Sequence, residues 1–302
     1  MQKISVWITA ARLRTLPLSV AGIILGNGLA WIEGEFSTTI FILSILTTIA
    51  FQVLSNFAND YGDGVKGTDN EHRLGPERVL QQGLLSRNSL KRGIQVTAGI
   101  SFLFALALIA VAFDASQWGK ALFFVLLGVA SIVAAIKYTV GDSAYGYYAL
   151  GDLFVFLFFG GVSVLGSYYL QTQQLPLDLL LPAASIGFFS TAVLNLNNLR
   201  DMENDRNSKK WTLPLLLGYQ GGRIYHLTLI LGGLLLTALY IGLNGVSSWS
   251  FLPFLLLLPL GRHLYRVQRS PGGKALDPEL KIVALSTFFF ALLLVIGLSL
   301  AQ

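Results

Sequence analysis

The apolar residues of this chain neither alternate nor mark a single helical stripe. They run on for about 20 residues at a time, the length of an α-helix that crosses a bilayer. Nine such runs can be marked, at 15–33, 38–59, 93–113, 118–140, 151–170, 177–199, 222–243, 248–267 and 281–300. The polar segments between them are unequal. Those at 34–37, 114–117, 171–176 and 244–247 are short, whereas 60–92 and 200–221 are long and hold eight of the 16 acidic residues. Gly160-Gly161 and Gly232-Gly233 fall inside apolar runs, where small residues let helices approach closely in lipid. The pattern predicts an all-α membrane protein: a bundle of nine transmembrane helices forming one polytopic domain over 1–302.

Charge placement tests that count. With nine spans, Lys3, Arg12, Arg14, Lys66 through Arg92, Lys137, Arg200 through Arg223 and Arg262 through Lys281 share the face of the N-terminus. Of 21 lysines and arginines only Lys120 lies on the other face, beside Glu33, Glu35, Asp114 and Asp178. Cytoplasmic loops carry the positive excess, so the N-terminus and the two long loops are expected inside a bacterial cytoplasmic (inner) membrane. The net charge of +5 is then a signal of topology, and no nucleic-acid partner is expected. Charged residues make up 12% of the chain, against about 25% in soluble domains, so most of the surface must face lipid. The first apolar run is long enough to stay as a span and does not read as a cleaved signal. The absence of cysteine excludes disulfides, thiolate metal sites and cysteine nucleophiles, and the three histidines are too scattered to suggest a metal site.

Candidate chemistry gathers in two segments at equivalent helix ends, Asn56 to Asp69 after the second run and Asn195 to Arg206 after the sixth. Asn59 and Asp63, Asn197 and Asp201, and Asp201 and Asp205 are each four residues apart, a spacing that puts both members on one helical face. Glu203 falls between its neighbours' directions and points elsewhere. Oxygen ligands without nitrogen or sulfur partners suit a hard cation such as Mg²⁺, which commonly takes a few carboxylates plus substrate phosphates. Lys66, Arg73 and Arg78 follow the first segment, and Arg206, Lys209 and Lys210 follow the second. Acids to hold a metal beside bases to hold an anion make a diphosphate site. Asn56, Asn195 and Asn197 lie a turn inside the predicted helices, where polar groups are costly and usually functional.

At these residues the chain resembles the UbiA superfamily of intramembrane aromatic prenyltransferases, marked by two Asp-rich motifs after helices 2 and 6 of a nine-helix bundle. Asn59-Asp60-Tyr61-Gly62-Asp63 matches the first motif and Asp201-Met202-Glu203-Asn204-Asp205 the second. Gly67-Thr68-Asp69, Arg73-Leu74-Gly75-Pro76, Asn197-Asn198-Leu199-Arg200-Asp201, Tyr145-Gly146-Tyr147 and Ala11 to Pro17 resemble the branch that prenylates 1,4-dihydroxy-2-naphthoate in menaquinone biosynthesis. Leu13, Lys209 and Trp211 depart from that pattern.

The resemblance implies a central cavity open to the cytoplasmic side, with an apolar path for an isoprenoid chain. It implies Mg²⁺-dependent transfer of a polyprenyl group from polyprenyl diphosphate to the aromatic acceptor, with loss of CO₂. Asn59, Asp63, Asp69, Asn197, Asp201 and Asp205 are then the metal ligands, and Asp60, Asp63, Asp201 and Asp205 the catalytic acids. Lys66, Arg73, Arg206 and Lys210 would hold the diphosphate. Arg14, Lys137, Tyr138, Tyr145 and Asp152 are candidates for the acceptor, although an interfacial aromatic belt, topology-setting charges and a helix cap account for the same residues. Two alternatives stay open: another aromatic acceptor such as 4-hydroxybenzoate or homogentisate, and a secondary transporter, whose site would lie near the midplane and not at one face.

Overall fold

A computed structural model describes residues 4–245 and 247–302, so Lys3 and Val246 of the 244–247 connection lie outside the described residues. The helices are α1 (Ile4–Ala11), α2 (Leu16–Ile32), α3 (Thr38–Lys66), α4 (Arg87–Ala112), α5 (Trp118–Lys137), α6 (Gly151–Val155), α7 (Ser167–Thr172), α8 (Leu180–Arg200), α9 (Met202–Asn207), α10 (Leu213–Leu243), α11 (Leu257–Arg269) and α12 (Asp277–Leu300). Among the described residues, eight helical segments are long and apolar enough to cross a membrane, and each coincides with one of the predicted runs.

The run at 248–267 is built differently. It begins as a 3₁₀ helix, Ser248–Leu256, around Pro253 and becomes α-helical only at Leu257. Proline has no N–H for the α-helical ladder, which explains the tighter start. The segment still runs the length of α12. Trp249 packs on Gly297 near one end of that helix, and Arg266 reaches Glu279 at the other.

Three further departures shape the cavity. The third helix continues past residue 59 to Lys66, carrying Asp60 and Asp63, because arginines pair with these acids where they are buried. It stops at Gly67, whose φ of 76° lets the chain fold back so that the Thr68 and Asp69 amides donate to the Asp63 carbonyl. Helix α10 starts early, at Leu213, and bends at Gly218. Between α6 and α7 the chain is π-helical over Phe156–Gly166, a form associated with functional sites. Gly160 in that stretch lies so close to the Ala183 carbonyl and to Gly187 of α8 that a methyl group would not fit, whereas Gly161 faces open space.

Packing is uneven around the bundle. The largest core cluster ties α2, α8, α10 and α12 together through residues such as Leu25, Ile186, Ile230 and Phe290. A smaller one joins α1, α3 and α4 around Leu54, Phe57 and Leu90. In α5 only Ala134 is buried, and Trp118, Phe123 and Leu126 point outward, as lipid-facing side chains do.

Candidate active site

Between the two packed regions lies a cavity of about 420 Å³. Its lining follows α3 from Ser44 to Asp63, a rise of roughly 28 Å along the helix and close to the thickness of a bilayer core. Toward Ser44 the walls are mainly apolar, with Leu108, Ile109, Phe124 and Leu170. Toward Asp63 they become polar, because α3 and α8 both end at this face.

Both acid-rich segments meet there. Asn59 and Asp63 from α3 line the same space as Asn197, Asp201 and Asp205 from the end of α8 and from α9. Arg73, Lys210, Tyr138 and Tyr145 line it as well. The expected i to i+4 geometry holds across the break between α8 and α9, where the Asp205 amide donates to the Asp201 carbonyl at 2.8 Å.

The remaining candidates lie outside the cavity wall. Asp60 is buried behind it, paired with Arg12 and with Arg78 at 3.2 Å. The Asp69 carboxylate is buried too, with Arg73 at 3.0 Å and Arg78 at 3.1 Å. Lys66 is exposed, with its ammonium 3.9 Å from the centre of the Tyr147 ring. Arg206, Arg14 and Lys137 are exposed. Asp152 is buried against Tyr225 of α10, which donates to it. Asn195 spans to the Gly222 carbonyl at 3.1 Å and so joins α8 to α10.

Several residues gain roles that the sequence left in the background. Arg12, and not Arg14, lines the cavity, turned inward by a left-handed backbone (φ 49°) between α1 and α2. Arg78 is a hub: its guanidinium lies 3.1–3.2 Å from Asp60, Asp63 and Asp69. The Tyr147 hydroxyl donates to Asp63 at 2.8 Å and receives a hydrogen bond from Thr68 at 2.6 Å. Two backbone hydrogen bonds hold Tyr147 in place, from Trp211 N to the Tyr147 carbonyl (3.1 Å) and from Ala149 N to the Trp211 carbonyl (2.7 Å). Sequence proximity marked Arg78 and Tyr147 as neighbours of motifs, and nothing in the spacing showed which acids they meet.

Electrostatics separates the acids. Burial pushes the Asp205 carboxyl up to about 7; Lys210 opposes this, and Asp201 and Asp63 add to it. Burial also raises Asp69, with Arg78 pulling it back. Lys210 is held above the usual lysine range, because Asp63 and Asp205 outweigh the effect of its burial. A cation beside Asp205 would offset the burial that disfavours its charged form.

The donor set fits Mg²⁺. Asn59, Asp63, Asn197, Asp201 and Asp205 bring carboxylate and amide oxygens to the cavity lining, with no sulfur or imidazole among them, and the buried Asn204 Oδ1 beside them has no protein partner. Among the described residues no three carboxylate or imidazole groups converge on one point. That spacing suits an ion held by one or two carboxylates with substrate phosphates completing its shell, and not an all-protein cage.

A deep apolar cavity lined at one end by carboxylates, amides and guanidinium groups defines an intramembrane enzyme whose substrate has a lipid tail and an anionic head. The chain belongs to the UbiA prenyltransferase family, whose sequence profile matches residues 19–293. It is 42% identical, over 98% of its length and 96% of the relative's, to 1,4-dihydroxy-2-naphthoate octaprenyltransferase of Escherichia coli K12. It is 34% identical to the protein of the same name from Mycobacterium leprae, over 100% and 98% of the two chains. Solved structures share the fold. A UbiA homologue from Aeropyrum pernix K1, in its apo form, superposes with a TM-score of 0.70 at 15% identity, covering 93% of this chain and 98% of that one. A UbiA homologue from Archaeoglobus fulgidus bound to DMAPP and Mg²⁺ superposes with a TM-score of 0.59 at 16% identity, with the same coverage.

Proposed function

We propose that this protein transfers a polyprenyl group from polyprenyl diphosphate to 1,4-dihydroxy-2-naphthoate, releasing CO₂ and diphosphate and giving a demethylmenaquinol. The observation that carries the reading is the meeting of both acid-rich helix ends at the mouth of one apolar cavity. The names of the full-length relatives supply the acceptor.

The prenyl C–O bond breaks with its electron pair leaving on the diphosphate, and the ring carbon that bears the carboxylate attacks the allylic cation. The ring–carboxylate bond then breaks, its electrons return to the ring, and CO₂ departs, so no oxidant or protein nucleophile is needed. When bound with the diphosphate, Mg²⁺ would neutralise the charge that develops on this leaving group. Asn59, Asp63, Asn197, Asp201 and Asp205 would hold it. The DMAPP and Mg²⁺ bound by the Archaeoglobus homologue support a divalent cation acting with the diphosphate. Arg73 and Lys210, already on the wall, hold the diphosphate oxygens, while exposed Lys66 and Arg206 act at longer range. Asp60 and Asp69 act through the arginines they fix. Tyr138 and Tyr145 flank the acceptor, and Arg12 is better placed than Arg14 or Lys137 to meet its carboxylate.

We read the chain as crossing the membrane nine times. The 248–269 segment traverses the bundle beside α12. Nine 3₁₀ residues and thirteen α-helical ones give a length of about 37 Å, enough to span a core of about 30 Å. The excess of lysine and arginine at the acid-lined face supports reading that face, and the N-terminus, as cytoplasmic in a bacterial inner membrane.

Purified protein in detergent, given Mg²⁺ and a labelled polyprenyl diphosphate, should prenylate 1,4-dihydroxy-2-naphthoate and release one CO₂ per product. Preference for 4-hydroxybenzoate, or a product that keeps its carboxyl group, would overturn the acceptor assignment.

A further inference from the structure

Arg200 is buried, does not line the cavity, and yet has four contacts that bear on it. Its Nε and Nη2 grip the two Asp201 oxygens at 3.1 and 2.6 Å, and Nη2 also donates to Asn197 Oδ1 at 2.7 Å. Asp201 and Asn197 are both on the cavity wall. The fourth contact comes from far along the chain: Nη1 donates to Asp277 Oδ1 at 2.8 Å, 77 residues away at the start of α12. Asp277 belongs to neither acid-rich segment.

A planar guanidinium has a fixed fork of donors, so anchoring one edge fixes what the other edges meet. The Asp277 carboxylate anchors Nη1. The fork then holds Asp201 and Asn197 in the rotamers that face the cavity. Asp277 also shares the charge of Arg200. Without it the full cation would rest on Asp201 and compete with any metal there. Space for the guanidinium is left by Gly75, where a Cβ would come within 2.5 Å of Nη2. The loop after the first acid-rich segment therefore packs on the residue that aims the second.

We propose that Asp277, acting through Arg200, is a positioning residue that sets the aim and the free charge of Asp201 and Asn197 for the metal–diphosphate complex. This rests on the reading that Asp201 and Asn197 contribute to a metal site. Outer partners that orient metal ligands typically change metal affinity by 10–100-fold when removed.

The test is equilibrium Mn²⁺ binding, read by electron paramagnetic resonance, on the full chain in detergent with a non-ionising prenyl thiodiphosphate. Wild-type protein that binds no Mn²⁺ would sink the metal reading itself, before any variant is compared. Asp277→Ala is expected to weaken Mn²⁺ binding about tenfold and to lower kcat/KM in step, and Asp277→Glu should restore most of both. Glu279→Gln, in the same turn of α12 but bonded to His263 and Arg266 instead, should leave Mn²⁺ affinity within about twofold. Wild-type affinity in Asp277→Ala, or an equal loss in Glu279→Gln, would overturn the proposal, the second by showing that packing of α12 and not the Asp277–Arg200 contact is responsible. Should Asp277→Ala fail to fold, Asp277→Asn answers the same question, and unchanged Mn²⁺ affinity there overturns it equally.

Discussion

The two acid-rich helix ends face each other across one cavity and are neutralised in opposite ways. At the end of α3, Asp60, Asp63 and Asp69 are threaded by Arg12, Arg73 and Arg78, with Lys210 at 3.9 Å from Asp63. At the end of α8, Asp201 has Arg200, and Asp205 makes no ion pair among the described residues. One end is a closed network of buried charges, and the other keeps a carboxylate in reserve. A network of that kind is strongly destabilised when one partner is lost, whereas a reserved carboxylate has affinity for a cation that arrives with substrate. The first end is thus built to stay rigid and the second to respond.

Removing the reserved carboxylate should have the largest catalytic effect. Asp205→Asn is expected to lower prenyl transfer by about 10²–10³-fold, with membrane insertion and melting temperature unchanged. Near-wild-type turnover in that variant would erase the contrast between the ends. Breaking the network should instead show as lost stability. Arg78→Ala leaves three buried carboxylates short of a partner and should destabilise the protein by about 3–5 kcal/mol, read as a lower unfolding temperature in detergent.

Acidity offers a finer probe. With Asp205 near 7 in the metal-free protein, a proton competes with the cation, so apparent Mg²⁺ affinity should fall about tenfold per pH unit below 7. The stability of the metal-free protein has the opposite sign. A folded pKa above the ordinary carboxylate value means the Asp205 contribution is complete below about pH 4 and is lost as pH rises through 7. Titrating Mg²⁺ at pH 6 and 8 and finding equal affinities would place the responsive acid elsewhere.

Smaller effects mark the edges of the site. Tyr147→Phe removes a hydrogen bond to Asp63 worth about 1.5–3 kcal/mol and should weaken diphosphate binding, seen as a rise in KM with membrane insertion intact. Arg206→Ala and Arg14→Ala, at exposed positions, should stay within about 0.5 kcal/mol of wild type in stability and change turnover little. A large loss in either would mean the site closes further over its substrate than this arrangement shows.

Much of this was legible in the residues. Eight of the nine apolar runs became long helices, and Asn59, Asp63, Asn197, Asp201 and Asp205 came together as their spacing required. Helical periodicity is local, so both results were within reach of sequence. What was not legible depends on the third dimension. Arg12 and Arg14 are equivalent in sequence, and only the left-handed turn at Arg12 sends one inward. Asp60, Asp63 and Asp69 look alike in sequence, and all three pair with Arg78, but of these only Asp63 lines the cavity. The π-helical turn at Phe156–Gly166 and the 3₁₀ start around Pro253 are choices of helix type that apolar composition does not encode.

The pair of backbone hydrogen bonds between Tyr147–Ala149 and Trp211 has a consequence for protein engineering. It makes two loops, separated in sequence by α6, α7, α8 and α9, into one structural unit. Grafting only residues 138–150 from a relative, to import a different acceptor preference, would leave the new loop facing a partner selected for the old one. Functional chimaeras should come from exchanging 138–150 together with 207–212, and single-loop grafts should misplace the tyrosine above Asp63 however well their own sequences match the donor.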